Sequence, residues 1–286
     1  MLKVAIVYDR VNKIGGAERV LLALHEIWPE APLFTSVYDV KGAPWAKVFP
    51  QIVTSFLQNF PLAKKHHEAY AWLMPLAFES FSANGGFDDY DLVISVTSEA
   101  AKGIITKPQT THLCYCLTPT RYLWQSYEDY FKNGILKILS RPVVDYLRSW
   151  DKIAGQRPDF MVAISNNVAK RIKKYYERDA EVIYPSITIG GLRSPTKFFP
   201  GTKNSFYFLI VSRLVPYKRI DIAIEAFNKL GWPLKIVGDG MEKKKLMKMA
   251  ESNIEFLGQN LTDEELIGYY KNCQAVIFLG EEDLGL

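Results

Sequence analysis

The chain has 286 residues, of which 48% are apolar and 23% are charged, and its formal net charge is +4. This balance is that of a globular protein and excludes a disordered, collagen-like or coiled-coil chain. The length suggests two domains, and the mild positive charge, without a dense Lys/Arg block, gives no indication of nucleic-acid binding.

The first part of the chain alternates short β-rich runs with helical patterns. Residues 3–8 predict a buried strand that follows Met1 directly, so we expect no secretory signal. Helices are predicted over residues 16–28 and over residues 168–176, the second capped by Ser165 or Asn166. The further strands predicted here cover residues 32–38, 52–56, 92–96, 112–116, 161–165 and 181–184.

Residues 69–78 are apolar and aromatic and follow the basic run Lys64, Lys65, His66 and His67. A core helix interrupted by a proline is the favoured interpretation. A helix lying in a membrane interface beside a basic flank is the alternative. No apolar run is long enough to predict a helix that spans a bilayer.

A segment rich in glycine and proline, residues 186–204, predicts a crossing between domains at 1–190 and 191–286. The alternation then restarts, with strands at 206–212, 234–237, 254–257 and 275–279 and helices at 220–230, 242–250 and 263–272. Two such blocks predict an α/β fold with two doubly wound parallel sheets. Ligands of such sheets bind beyond the carboxyl ends of the strands, so we expect a site in the cleft between the two domains.

Three cysteines are too few for a disulfide framework, which favours a reducing cytosol. Cys114 and Cys116 alternate along a predicted strand and therefore share one face. With no second Cys/His pair at metal-binding spacing, we expect them to be buried core residues and expect no metal site.

Two loops carry candidate ligand-binding groups. Gly15 and Gly16 join the first strand to the first helix, where glycines and a helix N-terminus suit a phosphate or a sugar hydroxyl. Arg213 and Lys218 follow the first strand of the second block, where an Arg fork and a Lys point charge can hold one dianion. The alternative is a solvated loop whose cations pair with Asp221 or Glu225.

An acidic run, residues 280–285, follows the last predicted strand, and its carboxylates can accept hydrogen bonds from sugar hydroxyls. Taken together, the motifs resemble glycosyltransferase family 4, which comprises retaining, nucleotide-sugar-dependent enzymes of the GT-B fold. The resemblance covers the whole chain and points to the mannosyltransferase-like branch. It rests on Gly15-Gly16-Ala17-Glu18, Ser212-Arg213-Leu214-Val215-Pro216-x-Lys218, Val237-Gly238-Asp239-Gly240 and Glu281-Glu282-Asp283-x-Gly285, with supporting stretches at 115–122, 165–172 and 221–228.

The resemblance implies roles for these residues. Arg213 and Lys218 would hold the donor diphosphate and stabilise the leaving nucleotide, and Glu282 would bind the donor sugar. Gly15, Gly16 and Gly238 would also contact the donor. His112 and Arg121 are candidates on the acceptor side, because Leu117 stands where many relatives carry a histidine before Thr-Pro.

The implied activity is transfer of a mannose-like sugar from a nucleotide diphospho-sugar to a glycan or lipid-linked acceptor. No cofactor or divalent metal is expected, because Arg213 and Lys218 can stabilise the leaving diphosphate in place of a metal ion. The implied location is the cytoplasm, with peripheral contact at the inner membrane face left open. Two alternatives remain: a fragment that binds a nucleotide or glycan without turnover, and a GT-B enzyme that catalyses epimerisation or phosphorolysis.

The chain stops four residues after Glu282. Relatives continue with a helix, a second glutamate that grips the ribose, and further helices. We therefore expect a C-terminally truncated chain whose second domain is incomplete and whose activity is low.

Overall fold

The computed structural model describes residues 2–83, 85–125, 127–130, 134–185, 206–258 and 261–280. These residues form two compact units, the first ending at residue 185 and the second beginning at residue 206. The predicted crossing at 186–204, with the predicted boundary at 190/191, lies outside the described residues.

The first unit is built on a seven-stranded, fully parallel sheet of order β3-β2-β1-β4-β5-β6-β7. Alternate side chains of β1 enter two separate cores, Ile6 on one face and Val7 on the other, because successive side chains of a strand point to opposite faces. The strands are β1 Val4–Tyr8, β2 Leu33–Thr35, β3 Ile52–Thr54, β4 Leu92–Thr97, β5 Thr111–Cys116, β6 Phe160–Ala163 and β7 Glu181–Val182.

Helices cover both faces of this sheet, as predicted for a doubly wound fold. Helices α1 and α5 pack on the face that holds Ile6, and α2 packs on the face that holds Val7. The hydroxyl of Ser165 accepts a hydrogen bond from the Val168 N–H, which confirms the first of the two predicted caps for α5. The helices are α1 Gly16–Ile27, α2 Met74–Ala83, α3 Tyr127–Tyr130, α4 Gly134–Ala154 and α5 Asn166–Tyr176.

The long helix α4 was not predicted from the sequence. It contains Pro142, which lacks an N–H and so leaves the Ile138 carbonyl without its usual helical partner. Its inner face buries Val144 and Leu147 against Leu123.

The aromatic segment at 69–78 agrees with the favoured interpretation only in part, because its second half enters the core while Trp72 stays 52% exposed and Leu76 stays 56% exposed. Residues His67–Leu73 form a 3₁₀ helix, and α2 then begins at Met74 with Pro75 in its first turn, so the proline starts the helix instead of interrupting it. Phe78 is fully buried. His67 is buried as well, so it does not extend the exposed basic run.

The second unit contains a three-stranded parallel sheet of order β10-β9-β8. Its core joins Ile210 and Ile236 of the sheet to Ile224 and Phe227 of α6. Helix α8 starts with a capping box formed by Thr262 and Glu265. The elements are β8 Phe208–Val211, α6 Ile220–Leu230, β9 Leu234–Val237, α7 Lys243–Met249, β10 Ile254–Gly258 and α8 Asp263–Asn272.

The strand predicted at 275–279 is present only as a single parallel bridge from Val276 to Leu209. The Leu209 N–H donates to the Ala275 carbonyl and the Ile277 N–H donates to the Leu209 carbonyl. Beyond this point Phe278 is 52% exposed and Leu279 is 39% exposed, so these apolar side chains are not buried among the described residues.

Cys114 and Cys116 lie on β5 and are fully buried in one core, as predicted. Burial raises the pKa of the Cys114 thiol to about 11, which keeps it protonated at neutral pH. Within the part of the chain that is described, no helix is both long and apolar enough to cross a bilayer.

Candidate functional site

The predicted site residues fall at the carboxyl ends of the two sheets, where loops from neighbouring strands converge. We call the loops after β1, β4 and β5 the first edge, and the loops after β8 and β9 the second edge. Each edge belongs to one unit, and different interactions hold the loops of the two edges in place.

The glycine loop of the first edge leads directly into α1. Gly15 is the N-cap in an extended conformation, and no side chain caps the helix there. A Cβ on Gly15 would lie 3.0 Å from a carboxylate oxygen of Glu18. Glu18 is itself buried and accepts a 2.8 Å hydrogen bond from the Tyr8 hydroxyl. A side chain at position 15 would therefore crowd the Glu18 carboxylate at the helix N-terminus.

Asp9, the residue after β1, organises the neighbouring loop after β4. It is 2% exposed, and its two carboxylate oxygens accept hydrogen bonds from the N–H groups of residues 98–101, at 2.7 to 3.0 Å, and from the Thr97 hydroxyl at 2.9 Å. With the Ser98 hydroxyl, which donates at 3.4 Å, six donors on one buried carboxylate fix the shape of this loop.

A buried ion pair lies beside Asp9. Arg10 contacts Glu99 at 2.7 Å, and both side chains are less than one-fifth exposed. Burial raises the pKa of Glu99, and Asp9 raises it further, while Arg10 opposes both. Arg10 Nε is buried without a hydrogen-bond partner among the described residues. Arg10 Nε is therefore a buried donor of this edge with remaining capacity to bind a polar group.

His67 completes this polar cluster. Its Nδ1 lies 3.5 Å from the Asn12 side-chain nitrogen, and its Nε2 lies 3.4 Å from Glu68. Burial lowers the pKa of His67 to about 4, and the positive charges of Arg10 and Lys13 contribute. The imidazole is therefore neutral at pH 7 and able to donate or accept one hydrogen bond.

The loop after β5 carries the candidate Arg121, which is half-buried. Asp151 of α4 anchors this loop, because its carboxylate accepts from the Thr120 hydroxyl at 2.9 Å and from the Trp124 indole at 2.7 Å. The same carboxylate pairs with Lys102 at 2.6 Å, and both side chains are 1% exposed. Burial alone would lower the pKa of Lys102, but Asp151 raises it above its ordinary value, so the pair is ionic.

The other acceptor-side candidate, His112, lies elsewhere. It is fully buried in the first half of β5, paired in register with Val93, and its Nε2 lies 2.8 Å from the Ser95 hydroxyl. Burial lowers its pKa to about 3. The structure therefore does not bring His112 to the first edge with Arg121.

At the second edge, Arg213 and Lys218 come together around one aromatic ring. Arg213 donates to the Tyr217 hydroxyl at 2.5 Å, and Lys218 Nζ lies 5.3 Å from the centre of the Tyr217 ring. Asp221 pairs with Arg219 at 3.2 Å, so it does not take up the charge of Arg213. The two cations thus lie on one short loop beyond β8.

Gly238 and Gly240 hold that loop in place. Gly238 has a φ of +147°, and a Cβ there would overlap the Ser212 carbonyl oxygen. A Cβ on Gly240 would overlap the Leu214 carbonyl oxygen in the same way. Backbone hydrogen bonds such as Leu214 N–H to the Asp239 carbonyl, at 2.9 Å, join the two loops. Gly238 thus positions the Arg213 loop by allowing close backbone contact.

The chain leading to the acidic motif also reaches the second edge. Lys218 Nζ lies 5.7 Å from the centre of the Phe278 ring, and a Cβ on Gly280 would lie 3.2 Å from the Lys218 side chain. Glu282 lies outside the described residues. Gly280, two residues before Glu282, lies beside Lys218.

Sequence reasoning missed Arg10, His67, Glu99 and Asp151. A signal existed for two of them, since Arg10 follows β1 by two residues and Glu99 follows β4 by two residues, the positions where ligand-binding loops begin. No local pattern distinguishes Asp151 or His67. Among the residues the structure describes, no group of three or more His, Cys, Asp or Glu side chains is placed to hold a metal ion.

Comparison with known proteins finds a family that resembles the second unit. Residues 195–286 match the family of glycosyl transferases group 1. The chain is also 27% identical to an uncharacterized glycosyltransferase, MJ1178, of Methanocaldococcus jannaschii, over 134 residues. That match covers 46% of this chain, and the chain spans about a third (36%) of the length of this curated relative.

Solved structures resemble the chain over almost its whole length. The lipopolysaccharide outer core galactosyltransferase WaaB, in its apo form, matches 99% of this chain and 76% of its own, with a TM-score of 0.61 at 18% identity. HepE of Anabaena, solved with UDP and glucose, matches 96% of this chain and 73% of its own, with a TM-score of 0.63 at 19% identity. At these identities the likeness concerns the fold, and it confirms the predicted α/β class with two parallel sheets of GT-B type.

Proposed function

We propose that this protein is a retaining glycosyltransferase that uses a nucleotide diphospho-sugar as its donor. The observation that carries the proposal is the convergence of Arg213 and Lys218 on one short loop at the carboxyl end of β8. The match of residues 195–286 to glycosyl transferases group 1 supports it, because that region contains this loop.

The second edge is proposed to bind the donor diphosphate. The Arg213 guanidinium can form two parallel hydrogen bonds to phosphate oxygens, and Lys218 adds a point charge. Their positive charge stabilises the negative charge that develops as the nucleotide diphosphate leaves. Glu282 is proposed to accept hydrogen bonds from the donor sugar, a role that rests on the family resemblance.

The first edge is proposed to hold the acceptor. Its buried polar groups, Arg10, Glu99 and neutral His67, together with Arg121, suit a ligand that presents hydroxyl groups. During transfer, the bond between the anomeric carbon and the diphosphate oxygen breaks, and the acceptor oxygen forms a new bond to that carbon. The acceptor proton passes to the departing diphosphate, so the charges balance without a further reagent.

The finer assignments stay proposals. A mannose-like sugar follows from the branch of the family that the motifs resemble, whereas the two solved relatives are named for galactose or contain glucose. Independence from divalent metals, a glycan or lipid-linked acceptor, a cytoplasmic location and low activity of the 286-residue chain also rest on the resemblance.

Product analysis tests the proposal directly. The protein is incubated with GDP-mannose, UDP-glucose, UDP-galactose or ADP-glucose and a mixture of glycan acceptors, and the products are followed by NMR. We expect one donor to release its nucleoside diphosphate and to form a glycosidic bond that keeps the anomeric configuration of the donor. Release of an epimerised sugar would support the epimerase alternative, and donor binding with no turnover would support the non-catalytic one.

A further inference from the structure

The outer side of α4 exposes large apolar side chains that pack against no described core. Ile138 is 73% exposed, Leu139 71%, Ile153 59%, Tyr146 52% and Val143 44%. We call these five residues the apolar stripe. Single exposed apolar residues are common on protein surfaces, but five on one helix form a contiguous patch of the kind that marks an interaction surface.

Helical geometry places the stripe on one side of α4. At 3.6 residues per turn, its five members fall within an arc of about 140°. The buried residues Leu147, Asp151 and Val144 lie about 40° to 100° beyond the Val143 end of that arc. The buried face and the exposed stripe are therefore neighbouring parts of the helix surface, and the packed core covers only the first of them.

A basic surface borders the apolar stripe along one side. It consists of Arg141, which is 79% exposed, and of Arg148, Lys152 and Lys174, and we call these four residues the basic flank. Arg148 and Lys152 lie 5.7 and 5.8 Å from the centre of the Trp124 ring. The Trp124 ring in turn stacks on Tyr175 at 5.1 Å, and Lys174 lies 5.3 Å from the Tyr175 ring.

The charges near this face are mostly positive. Asp145 lies beside Arg141, at 3.8 Å, and is the one exposed acid on the described part of α4. The other acid of that helix, Asp151, is buried against Lys102. A surface that combines an apolar stripe with adjacent cations complements a bilayer with anionic headgroups, because the apolar side chains enter the acyl boundary while the cations meet the phosphates.

We infer that the outer face of α4 binds the surface of an anionic lipid membrane. A second copy of the chain is a poorer occupant, because an antiparallel two-fold contact through the apolar stripe would bring two basic flanks together. Lys and Arg side chains with long apolar stems also suit an interface, where the stem lies in the apolar layer and the charge stays in water. This inference does not depend on the proposed enzymatic function.

Vesicle co-sedimentation tests this inference. The full chain is mixed with vesicles of phosphatidylcholine containing phosphatidylglycerol, and with vesicles of phosphatidylcholine alone. The test variant combines Ile138→Glu and Leu139→Glu, the two most exposed positions of the stripe, so little packing is lost. The matched control combines Ile27→Glu and Met241→Glu, which are 63% and 83% exposed and belong to segments of the chain other than α4. Circular dichroism verifies that both variants fold.

We expect the parent chain and the control to sediment with the anionic vesicles, and to do so less at high salt, where headgroup attraction is screened. The test variant should bind the anionic vesicles at least about tenfold more weakly than the parent chain. This corresponds to a loss of about 1.4 kcal/mol or more in the free energy of partitioning. Failure of the parent chain to sediment, or equal binding by both variants, would overturn the inference. A dimer in light scattering that only the test variant abolishes would overturn it as well, by showing that a second copy covers this face.

Discussion

At both edges a loop is held at the end of a parallel sheet, but different interactions hold it in the two units. In the first unit, buried carboxylates hold the loops. Asp9 accepts hydrogen bonds from the loop after β4, and Asp151 accepts hydrogen bonds from the loop after β5. In the second unit, Gly238 and Gly240 let two loops touch backbone to backbone. Because backbone contacts hold this loop, its side chains are not needed to hold it. Arg213 therefore stays exposed and able to bind a ligand.

The difference predicts how each unit fails when it is altered. Loss of a charge should damage the first unit most, because the remaining partner stays buried. Loss of a charge in the second unit should matter little for folding, whereas added volume at its glycines should matter greatly.

The largest effect is expected for Asp151→Ala. Removal of this carboxylate leaves Lys102 charged and buried at 1% exposure, which should lower the free energy of unfolding by about 3–5 kcal/mol. Chemical denaturation followed by tryptophan fluorescence measures it, since five of the six tryptophans lie in the first unit. The control is Asp239→Ala, which removes an exposed ion pair to Lys243 in the second unit and should cause no measurable change. Similar losses in the two variants would contradict the comparison.

Gly238→Ala should cost the second unit on the order of 3 kcal/mol, because the new Cβ overlaps the Ser212 carbonyl at a strained φ. The matched control is Gly231→Ala, where φ is also positive, at +65°, but no atom lies within 4 Å. That change should cost only about 1 kcal/mol. Hydrogen exchange in peptides covering β8 and β9 reports the difference. If both variants exchange alike, the close loop contact does not stabilise the second edge.

Acid should destabilise the first unit through its histidines, and all four histidines of the chain lie there. The pKa of His67 is lowered to about 4 and that of His112 to about 3. A pKa depressed in the folded state means that the unfolded chain binds protons first, so stability is full above about pH 6.5 and falls as pH decreases toward 4. Each histidine should contribute a loss on the order of 2–3 kcal/mol at pH 4.

His67→Gln isolates this effect, since the amide keeps hydrogen-bonding capacity but cannot gain a proton in this range. The difference in unfolding free energy between the parent chain and the variant should shrink as pH falls from 7 to 4. A difference that stays constant with pH would show that His67 is not buried in its neutral form.

Sequence patterns predicted the second unit more closely than the first. The helices Ile220–Leu230 and Asp263–Asn272 and the strand Leu234–Val237 have the predicted bounds, because capping residues and glycines mark their ends. The strand predicted at 206–212 is shorter, at Phe208–Val211, and the one at 275–279 is reduced to one bridge. In that last case the apolar run had the composition of a strand but lacked a second paired neighbour among the described residues.

Helix α4 and the carboxylate networks were missed for a physical reason. Helix α4 contains Pro142, a residue that usually ends or kinks a helix, so the sequence around it does not predict one continuous helix. The roles of Asp9 and Asp151 depend on donors that are up to 92 residues away in the chain, such as the Ala101 N–H that bonds Asp9. Residue spacing cannot reveal such contacts, whereas the Arg213–Lys218 pair and the two glycines are local and were found.

The central claim is that the second edge binds the diphosphate of a nucleotide. Isothermal titration of UDP, GDP and ADP into the parent chain, Arg213→Ala, Lys218→Ala and Lys229→Ala tests it most directly, with Lys229 an exposed cation at the far end of α6 as the charge control. The account predicts that one nucleotide binds the parent chain and Lys229→Ala equally well. Arg213→Ala and Lys218→Ala should each bind it about 10- to 100-fold more weakly, as expected for losing a charge-assisted contact of about 1.5–3 kcal/mol. Equal affinity in all four proteins would show that the phosphates bind elsewhere and would contradict the account.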